Sequence, residues 1–496
     1  MIDLKSQLSA ADSLIRAGNA QSAARLLALL RREVALKLWT REEHLLFADL
    51  CRRCSLFNLG LRALLPYMGH DQREIPTPKE SAAYAGILIK IGSVSEAAEL
   101  LGKLPRSLPE IDLYSAYACI SEWNYAAAVP HLRRYLEWPQ LAPYQRSIGE
   151  VNLAAAWVAL GEASQGQPLL QALLSKAKHS DWKLLLKNSL ELSAQLAIES
   201  GDYTLASQCL DRIEISEVKA KDDLLVAKQR AVLALKLEHR NARKLITSVR
   251  ERATSFEHWE TVRDCDYQLA LAQHDENLVL QVYFGTPYPS YRRRLADSCR
   301  SWLGPLPQSW IFGGRERVFD IRQGKELGEA LRLKPGQAVH RMFAALSSDL
   351  YRPISQGALF ARLFSNQYYD PESGLQRIAN VLLRWRRWCE ETRFPFRASV
   401  EKGSYRLEVP ATCGLRLWNS TATSELTPAV ELTLERLLNF APKEFSSRDA
   451  ASVLHLGLRS TIDILNWGVK NGYLLRLGKG PATKYISGLH TKAAAA

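Results

Sequence analysis

Between residues 1 and 280 one pattern recurs, and it limits the architecture more than any other feature. An apolar helix is followed by a short break and then by a second apolar helix rich in small residues. The pattern is clearest in LIRAGNAQSAARLL from Leu14, LIKIGSVSEAAELL from Leu88, CISEWNYAAAVPHL from Cys119, WVALGEASQGQPLL from Trp157 and LAIESGDYTLASQCL from Leu196. With Gly18, Asn58, Gly92, Trp123, Gly161, Gly201 and Glu238 as breaks, successive intervals are 40, 34, 31, 38, 40 and 37 residues, and a further one ends near Asp275. A glycine at such a break lets the first helix end in a left-handed turn. Small residues such as Ala97–Ala98 and Ala206 let the two helices approach closely. One hairpin cannot bury its apolar faces alone, so the hairpins must stack. The expected fold class is therefore mainly α: a helical-hairpin solenoid over residues 1–284, followed by two smaller α+β domains.

The array resembles the tetratricopeptide repeat family, most closely in GDYTLASQCL from Gly201. Repeats of that family are about 34 residues long. A generic helical solenoid fits the uneven spacing equally well. Either reading implies a surface for a protein, a peptide or a second copy of the chain, and no chemistry. Cys51-Arg52-Arg53-Cys54 is a single close cysteine pair, whereas a structural zinc site needs four ligands. Two small apolar residues on a helix are the expected reading.

Charge divides the chain unevenly. Of the formal net charge of +13, residues 1–300 carry +3 and residues 301–496 carry +10. Such a bias favours a polyanionic partner, nucleic acid before an anionic membrane. No apolar run approaches the length of a membrane span, and the N-terminus lacks the pattern of a signal peptide. The eight cysteines are scattered, which fits a reducing cytoplasm.

Residues 285–314 are rich in proline and glycine and read as a connecting segment, with a short basic helix from Tyr291 to Trp302. Beyond it lies VLLRWRRWCEE, Val381 to Glu391, with two tryptophans set among three arginines. At 100° per residue, Ile378, Val381, Leu382, Trp385, Trp388 and Cys389 share one face. Arg377, Asn380, Arg384 and Arg387 form a second stripe beside it. The tryptophans are expected to anchor the helix on a core, leaving the stripe outward. Arginine reads guanine, asparagine reads adenine, and both bind phosphate. A short helix capped by Ser355 precedes this long helix, and two short strands around Lys402-Gly403 follow it.

That order resembles the winged helix of OmpR/PhoB-type response-regulator output domains, through LFSNQYYDPES, RIANVLLRWRRW and KGSYRLEV. ALRLKPGQAVHRMFAALSS, Ala330 to Ser348, is similar to that family's strand, turn and first helix. The resemblance covers residues 315–410. It implies a recognition helix in the major groove bearing Arg377, Asn380 and Arg384, with Arg386 toward phosphate or an internal acid, and a wing bearing Lys402 and Arg406; Arg387 is a candidate contact from the stripe alone. Leu383 and Glu401 stand where that family commonly has polar or basic residues. No receiver domain is evident upstream, so control by aspartyl phosphorylation is not implied.

Residues 425–488 repeat the logic. Ser446 or Ser447 caps a helix to Leu454, and Leu458 to Lys470 is the second helix, with Leu458, Ile462, Leu465 and Val469 expected in its core face. Arg459, Ser460, Asn466 and Lys470 are the candidate DNA contacts there, with Arg476, Lys479 and Lys484 on the following hairpin. The segment is similar to the winged helix of MarR-like regulators, and a protein-binding role stays open for it. The intervening 411–424 reads as a linker and 489–496 as a tail. Residues 411–425, fully extended, span at most roughly 50 Å, against roughly 34 Å for one turn of DNA, so both modules are expected on one duplex, with Leu415, Leu417 and Trp418 packing against one module and shortening that reach.

No phosphate loop, dinucleotide fingerprint, nucleophile elbow or zinc-protease motif occurs. The expectation is a non-enzyme without cofactors: a cytoplasmic regulator that binds duplex DNA, with an array for a protein, a peptide or a second subunit. The alternative is a protein–protein scaffold.

Overall fold

The computed structural model describes residues 3–16, 19–33, 39–68, 75–180, 182–213, 220–328, 333, 337–364, 367–401, 403–419, 433–434, 437–438, 442, 444–454, 456–470, 473–478 and 483–487. The fold is mainly helical, with small sheets toward the C-terminus. The chain forms two compact units. The first holds Met1–Trp310, Ser348–Ala379 and Ser399–Arg406, and the second Ile311–Ser347, Asn380–Ala398 and Leu407–Ala496. The expected module 315–410 is thus divided between the units, and 1–284 is not a unit by itself.

In the first unit sixteen helices pair as hairpins: α1 (Leu4–Arg16) with α2 (Ala20–Glu33), α3 (Arg41–Arg53) with α4 (Phe57–Met68), α5 (Pro78–Ile91) with α6 (Val94–Lys103), and α7 (Pro109–Ser121) with α8 (Tyr125–Glu137). They continue as α9 (Pro143–Leu160) with α10 (Ala163–His179), α11 (Lys183–Ser200) with α12 (Tyr203–Asp211), α13 (Ala220–Lys236) with α14 (Ala242–Ser255), and α15 (Trp259–Gln273) with α16 (Glu276–Phe284).

The turns share one mechanism. Ser55, Gly92, Trp123, Gly161, Gly201, Glu238 and His274 all have positive φ. The next residue's N–H reaches back five positions: Ser93 to Leu88 O, Asn124 to Cys119 O, Glu162 to Trp157 O, Asp202 to Ala197 O and His239 to Ala234 O, each at 2.9 Å. This bond satisfies a carbonyl left open at the helix end. Where the next residue is Asn124, Asp202 or Asp275, its side chain also caps the following helix, accepting from the N–H of Ala127, Leu205 or Leu278. The repeat therefore ends one helix and starts the next within two residues. The second break lies at Ser55, because Leu56 N–H bonds Cys51 O at 2.8 Å; the expected break, Asn58, sits inside α4. Gly18 lies outside the described residues. Ala97 and Ala206 are fully buried, as close approach requires, whereas Ala98 is exposed.

Both connecting segments carry structure. The expected helix from Tyr291 to Trp302 is α17 (Pro289–Leu303), which buries Tyr291, Leu295 and Cys299, and Thr286 is fully buried. Of residues 411–424, read as a linker, 420–424 lie outside the described residues. Beside β1 (Ser309–Gly313), β2 (Arg317–Asp320) and β3 (Lys325–Glu326), Cys413–Trp418 forms a strand within a sheet that the chain later completes. That strand runs parallel to β2 with Phe319 opposite Leu415. Leu415 and Leu417 are buried in it, the packing expected of them.

Next come α18 (Ala338–Leu346), β4 (Ile354–Ser355), α19 (Gln356–Leu363), α20 (Gly374–Thr392), β5 (Arg397–Glu401), β6 (Ser404–Glu408) and the Cys413–Trp418 strand, β7. The sheet orders are β1-β7-β2-β3 and β4-β6-β5. Ile354 opposes Tyr405 in antiparallel register, and Gly403 at the β5–β6 tip has φ +76°. In the second unit an aromatic core of Phe319, Phe343, Trp385, Phe394 and Phe396 has neighbouring centroids 4.8–5.8 Å apart.

The last elements are β8 (Glu444–Ser446), α21 (Ser447–Leu454), α22 (Leu458–Lys470), β9 (Leu474–Leu477) and β10 (Lys484–Ser487), with sheet order β8-β10-β9. Ser446 and Asp449 cap α21 reciprocally: Ser446 N–H donates to Asp449 Oδ2 at 2.8 Å, and Asp449 N–H to Ser446 Oγ at 3.3 Å. Leu434, Leu437, Phe445, Leu465, Leu474 and Tyr485 form the core.

Candidate nucleic-acid interface

Helix α20 sorts its side chains as the 3.6-residue period requires. Ile378 and Trp385 are fully buried, and Val381, Leu382 and Cys389 nearly so. Asn380, Leu383, Arg384, Arg386 and Arg387 are exposed. The indole of Trp385 packs on Phe343 and meets Phe394 edge-on, so it fixes the helix's rotation about its own axis. Among the described residues no carboxylate pairs with Arg384, Arg386 or Arg387. Asn380, Arg384 and Arg387 fall at steps of four and three, one patch on a helix. Leu383, 58% exposed, lies within that patch and offers only apolar contact, which suits a thymine methyl.

Arg377 is placed differently. Its guanidinium lies over Phe364 at 4.1 Å and Phe360 at 5.0 Å, and its Nη2 donates to Gln367 Oε1. It ties the start of α20 to α19. Ser355 occupies the N-cap position of α19 but makes no cap bond; its hydroxyl donates to Ile91 O at 2.6 Å. Arg406 lies over the ring of Trp259 at 4.6 Å, within the first unit. Lys402 lies outside the described residues. Asn380, Arg384 and Arg387 of the stripe foreseen from the sequence are exposed, while the guanidinium groups of Arg377 and Arg406 lie over aromatic rings.

In α22, Arg459, Ser460, Asp463 and Asn466 are exposed, and Arg476 is exposed on β9. Lys484 pairs with Glu444 at 2.9 Å. Lys479 lies outside the described residues, as does the side chain of Lys470. The expected core face of this helix is corrected. Leu458 and Ile462 are exposed, while Thr461 and Leu465 are fully buried. A Cβ on Gly468 would meet Leu434 and Leu474 at 3.0 Å. This close approach draws the 461–465–468 line inward and turns Leu458 and Ile462 outward. Leu475 and Leu477 are exposed on β9 as well.

Sequence reasoning missed Arg393 and Arg397. With Arg386 they line an open groove of about 630 Å³ that Trp385, Phe394 and Phe396 also line. The signal was FPFR after the helix: Arg393 takes φ 52° and returns Phe394 and Phe396 to the core. Cys389, also in this groove, has its thiol pushed up to about 12 by burial, so it is not a thiolate nucleophile near neutral pH. His340 is buried, with Nε2 2.9 Å from Ile321 O, and its pKa is lowered by burial. Among the described residues no group of His, Cys, Asp and Glu is arranged to hold a metal ion, and no helix is long and apolar enough to cross a membrane. Cys51 is buried on α3 and its thiol is raised by burial, whereas Cys54 is half-buried at the C-cap just beyond the helix. A scan against protein-family models gives no match to this chain, and a search of curated proteins gives none either.

Proposed function

We propose that this chain is a DNA-binding transcription regulator that reads duplex DNA with α20. One observation carries the reading: Asn380, Arg384 and Arg387 stand exposed on one patch of a helix whose rotation is fixed by the buried Trp385. Arginine and asparagine are the side chains with bidentate matches to guanine and adenine. The helix–turn–helix and hairpin order of α19, α20, β5 and β6 supports the resemblance to OmpR/PhoB-type winged helices, and the excess positive charge of residues 301–496 supports a polyanionic partner. Cytoplasmic location belongs to the same reading. The test is capture of genomic fragments by the purified chain, followed by titration of a selected duplex against salt. Affinity that falls steeply with salt and is lost in Arg384→Ala supports the proposal; salt-independent binding, or none, ends it.

For residues 433–487 a second reading has its own observation. Leu458, Ile462, Leu475 and Leu477 are all exposed, and Asp463 stands beside Arg459 on α22. An apolar surface with a carboxylate suits a protein contact better than a phosphate backbone.

A further inference from the structure

The hairpins of a repeat array commonly present a surface to peptides. Within the first unit, part of that surface is already covered by the chain itself. Gln356 Nε2 donates to Asn58 Oδ1 at 2.9 Å, and Ser355 Oγ to Ile91 O at 2.6 Å. Tyr369 N–H donates to Glu96 Oε2 at 2.9 Å, and Tyr368 OH to Glu99 Oε1 at 3.1 Å. In these four bonds the acceptor is on the array and the donor on the segment 355–369, and Tyr84 OH on α5 donates the other way, to Tyr369 O at 3.4 Å. Bonds in both directions along three array helices make a specific seat.

The steric fit is equally particular. Gly357, on α19, faces the end of α5: a Cβ there would lie 2.6 Å from Ile91 O and 2.8 Å from Ile91 Cγ1. Gly92, the left-handed residue that ends α5, would with a Cβ run into Ser355 Oγ. Two glycines thus let α19 and the α5–α6 turn meet nearly backbone to backbone. Glycine is a poor helix former, so its place in the eight-residue α19 is explained by this approach. A second tie sits on α15, where Arg263 is fully buried and bonds Asp349 at 2.6 Å.

We infer that the array's partner is this chain's own helix–turn–helix: Asn58 of α4 and the α5–α6 hairpin (Pro78–Lys103) are an intramolecular seat for residues 355–364 and 367–369, and they hold the start of the reading helix in place. Arg377 continues that hold, since it links the first turns of α20 to Phe360 and Phe364 of the seated helix. A separate protein or peptide would have to displace 355–369 to use this part of the array.

The inference rests on the proposed DNA reading for its functional readout and stands without it for the docking. The test uses the full chain carrying Gly357→Ala. Alanine strengthens α19 as a helix, so loss of structure there would come from the clash with Ile91 and not from the helix itself. Glu96→Ala is the second variant, on the opposite side of the contact. Hydrogen exchange is followed at the amides of Phe360–Leu363 and Tyr369, and duplex affinity in parallel. The expected result is exchange at least tenfold faster at those amides in both variants, with α9 to α12 unchanged, and duplex affinity at least tenfold weaker. Unchanged exchange in both variants would overturn the seat. Faster exchange with equal or tighter duplex binding would overturn the holding role. Faster exchange in a chain whose wild type binds no duplex would support the seat and refute the DNA reading separately.

Discussion

The indole of Trp385 stacks on the ring of Phe343, with centroids 5.3 Å apart and planes 17° from parallel. One residue earlier in the helix, Arg384 is exposed. Adjacent positions on α20 therefore stand in opposite environments, and substitutions separate them. Trp385→Ala should destabilise the second unit by about 3–5 kcal/mol, the usual cost of emptying a large aromatic site. Arg384→Ala should leave the unfolding midpoint in place and weaken a specific duplex by about 1–3 kcal/mol. Denaturation and duplex titration measure the two effects, and equal midpoints for wild type and Trp385→Ala would contradict the burial.

Arg387 and Arg386 test the electrostatic part of the reading. If either faces phosphate, its replacement by alanine weakens binding to all sequences alike and lowers the slope of log affinity against log salt by about 1. If Arg387 reads a base, the loss is confined to particular operators. A salt slope unchanged in both variants would remove these arginines from the interface.

Arg263 tests the first unit. Its guanidinium is fully buried, bonding Glu260 at 2.5 Å and Asp349 at 2.6 Å, with the rings of Tyr288 and Tyr351 at 5.0 and 5.3 Å. Arg263→Met leaves Asp349 largely buried without its cation. Breaking one side of a buried pair typically costs about 3–5 kcal/mol. An unfolding free energy within error of wild type would show that Asp349 finds water or another cation.

The hairpin array and the sorting of side chains on α20 were legible in the sequence because they rest on local rules. A left-handed residue followed by a capping side chain is written in GDYTLAS around Gly201, and helical period alone sorts Trp385 from Arg384. What was not legible depends on contacts distant in sequence. Nothing local in Arg377 or Arg406 reveals that their guanidinium groups lie over Phe364 and Trp259. The pairing of β7 with β2 joins residues nearly a hundred apart. In α22 the period was read correctly but its phase was not, because a small residue, Gly468, marks the contact line and hydrophobicity counts do not weight it.

Glu96 gives the seat a pH dependence whose sign can be stated. Burial raises its carboxyl from the ordinary 4.5 to about 7, against hydrogen bonds from Tyr369 N–H and Ser93 that lower it, while nearby Glu99 raises it. The folded chain then keeps a proton that the unfolded chain releases. Between about pH 4.5 and 7 the stability contributed by neutral Glu96 declines as pH rises. Glu80 has the opposite trend, since its carboxyl is lowered on balance by Arg41 and Thr77 despite burial. The comparison must therefore be wild type against Glu96→Gln. The variant should lose the downward slope across that window in urea unfolding of the first unit. Parallel pH profiles for the two chains would show that Glu96 titrates normally.

The second module decides between two partners. On α22, Leu458 and Ile462 lie one turn apart and are exposed, and neighbouring Arg459 and Asp463 carry opposite charges one turn apart. A DNA-reading helix gains little from the two apolar side chains and is opposed by the carboxylate, unless Asp463 accepts from a cytosine. A protein contact uses all four. The expected outcome is that Arg459→Ala with Asn466→Ala leaves both footprint and duplex affinity unchanged. Leu458→Ser with Ile462→Ser should instead abolish an association seen by sedimentation, either of the chain with itself or with a protein it captures, without changing the melting temperature. A footprint that shortens in the Arg459 and Asn466 variant, with affinity at least tenfold weaker, would return the module to DNA and make Leu458 and Ile462 contacts to thymine methyls.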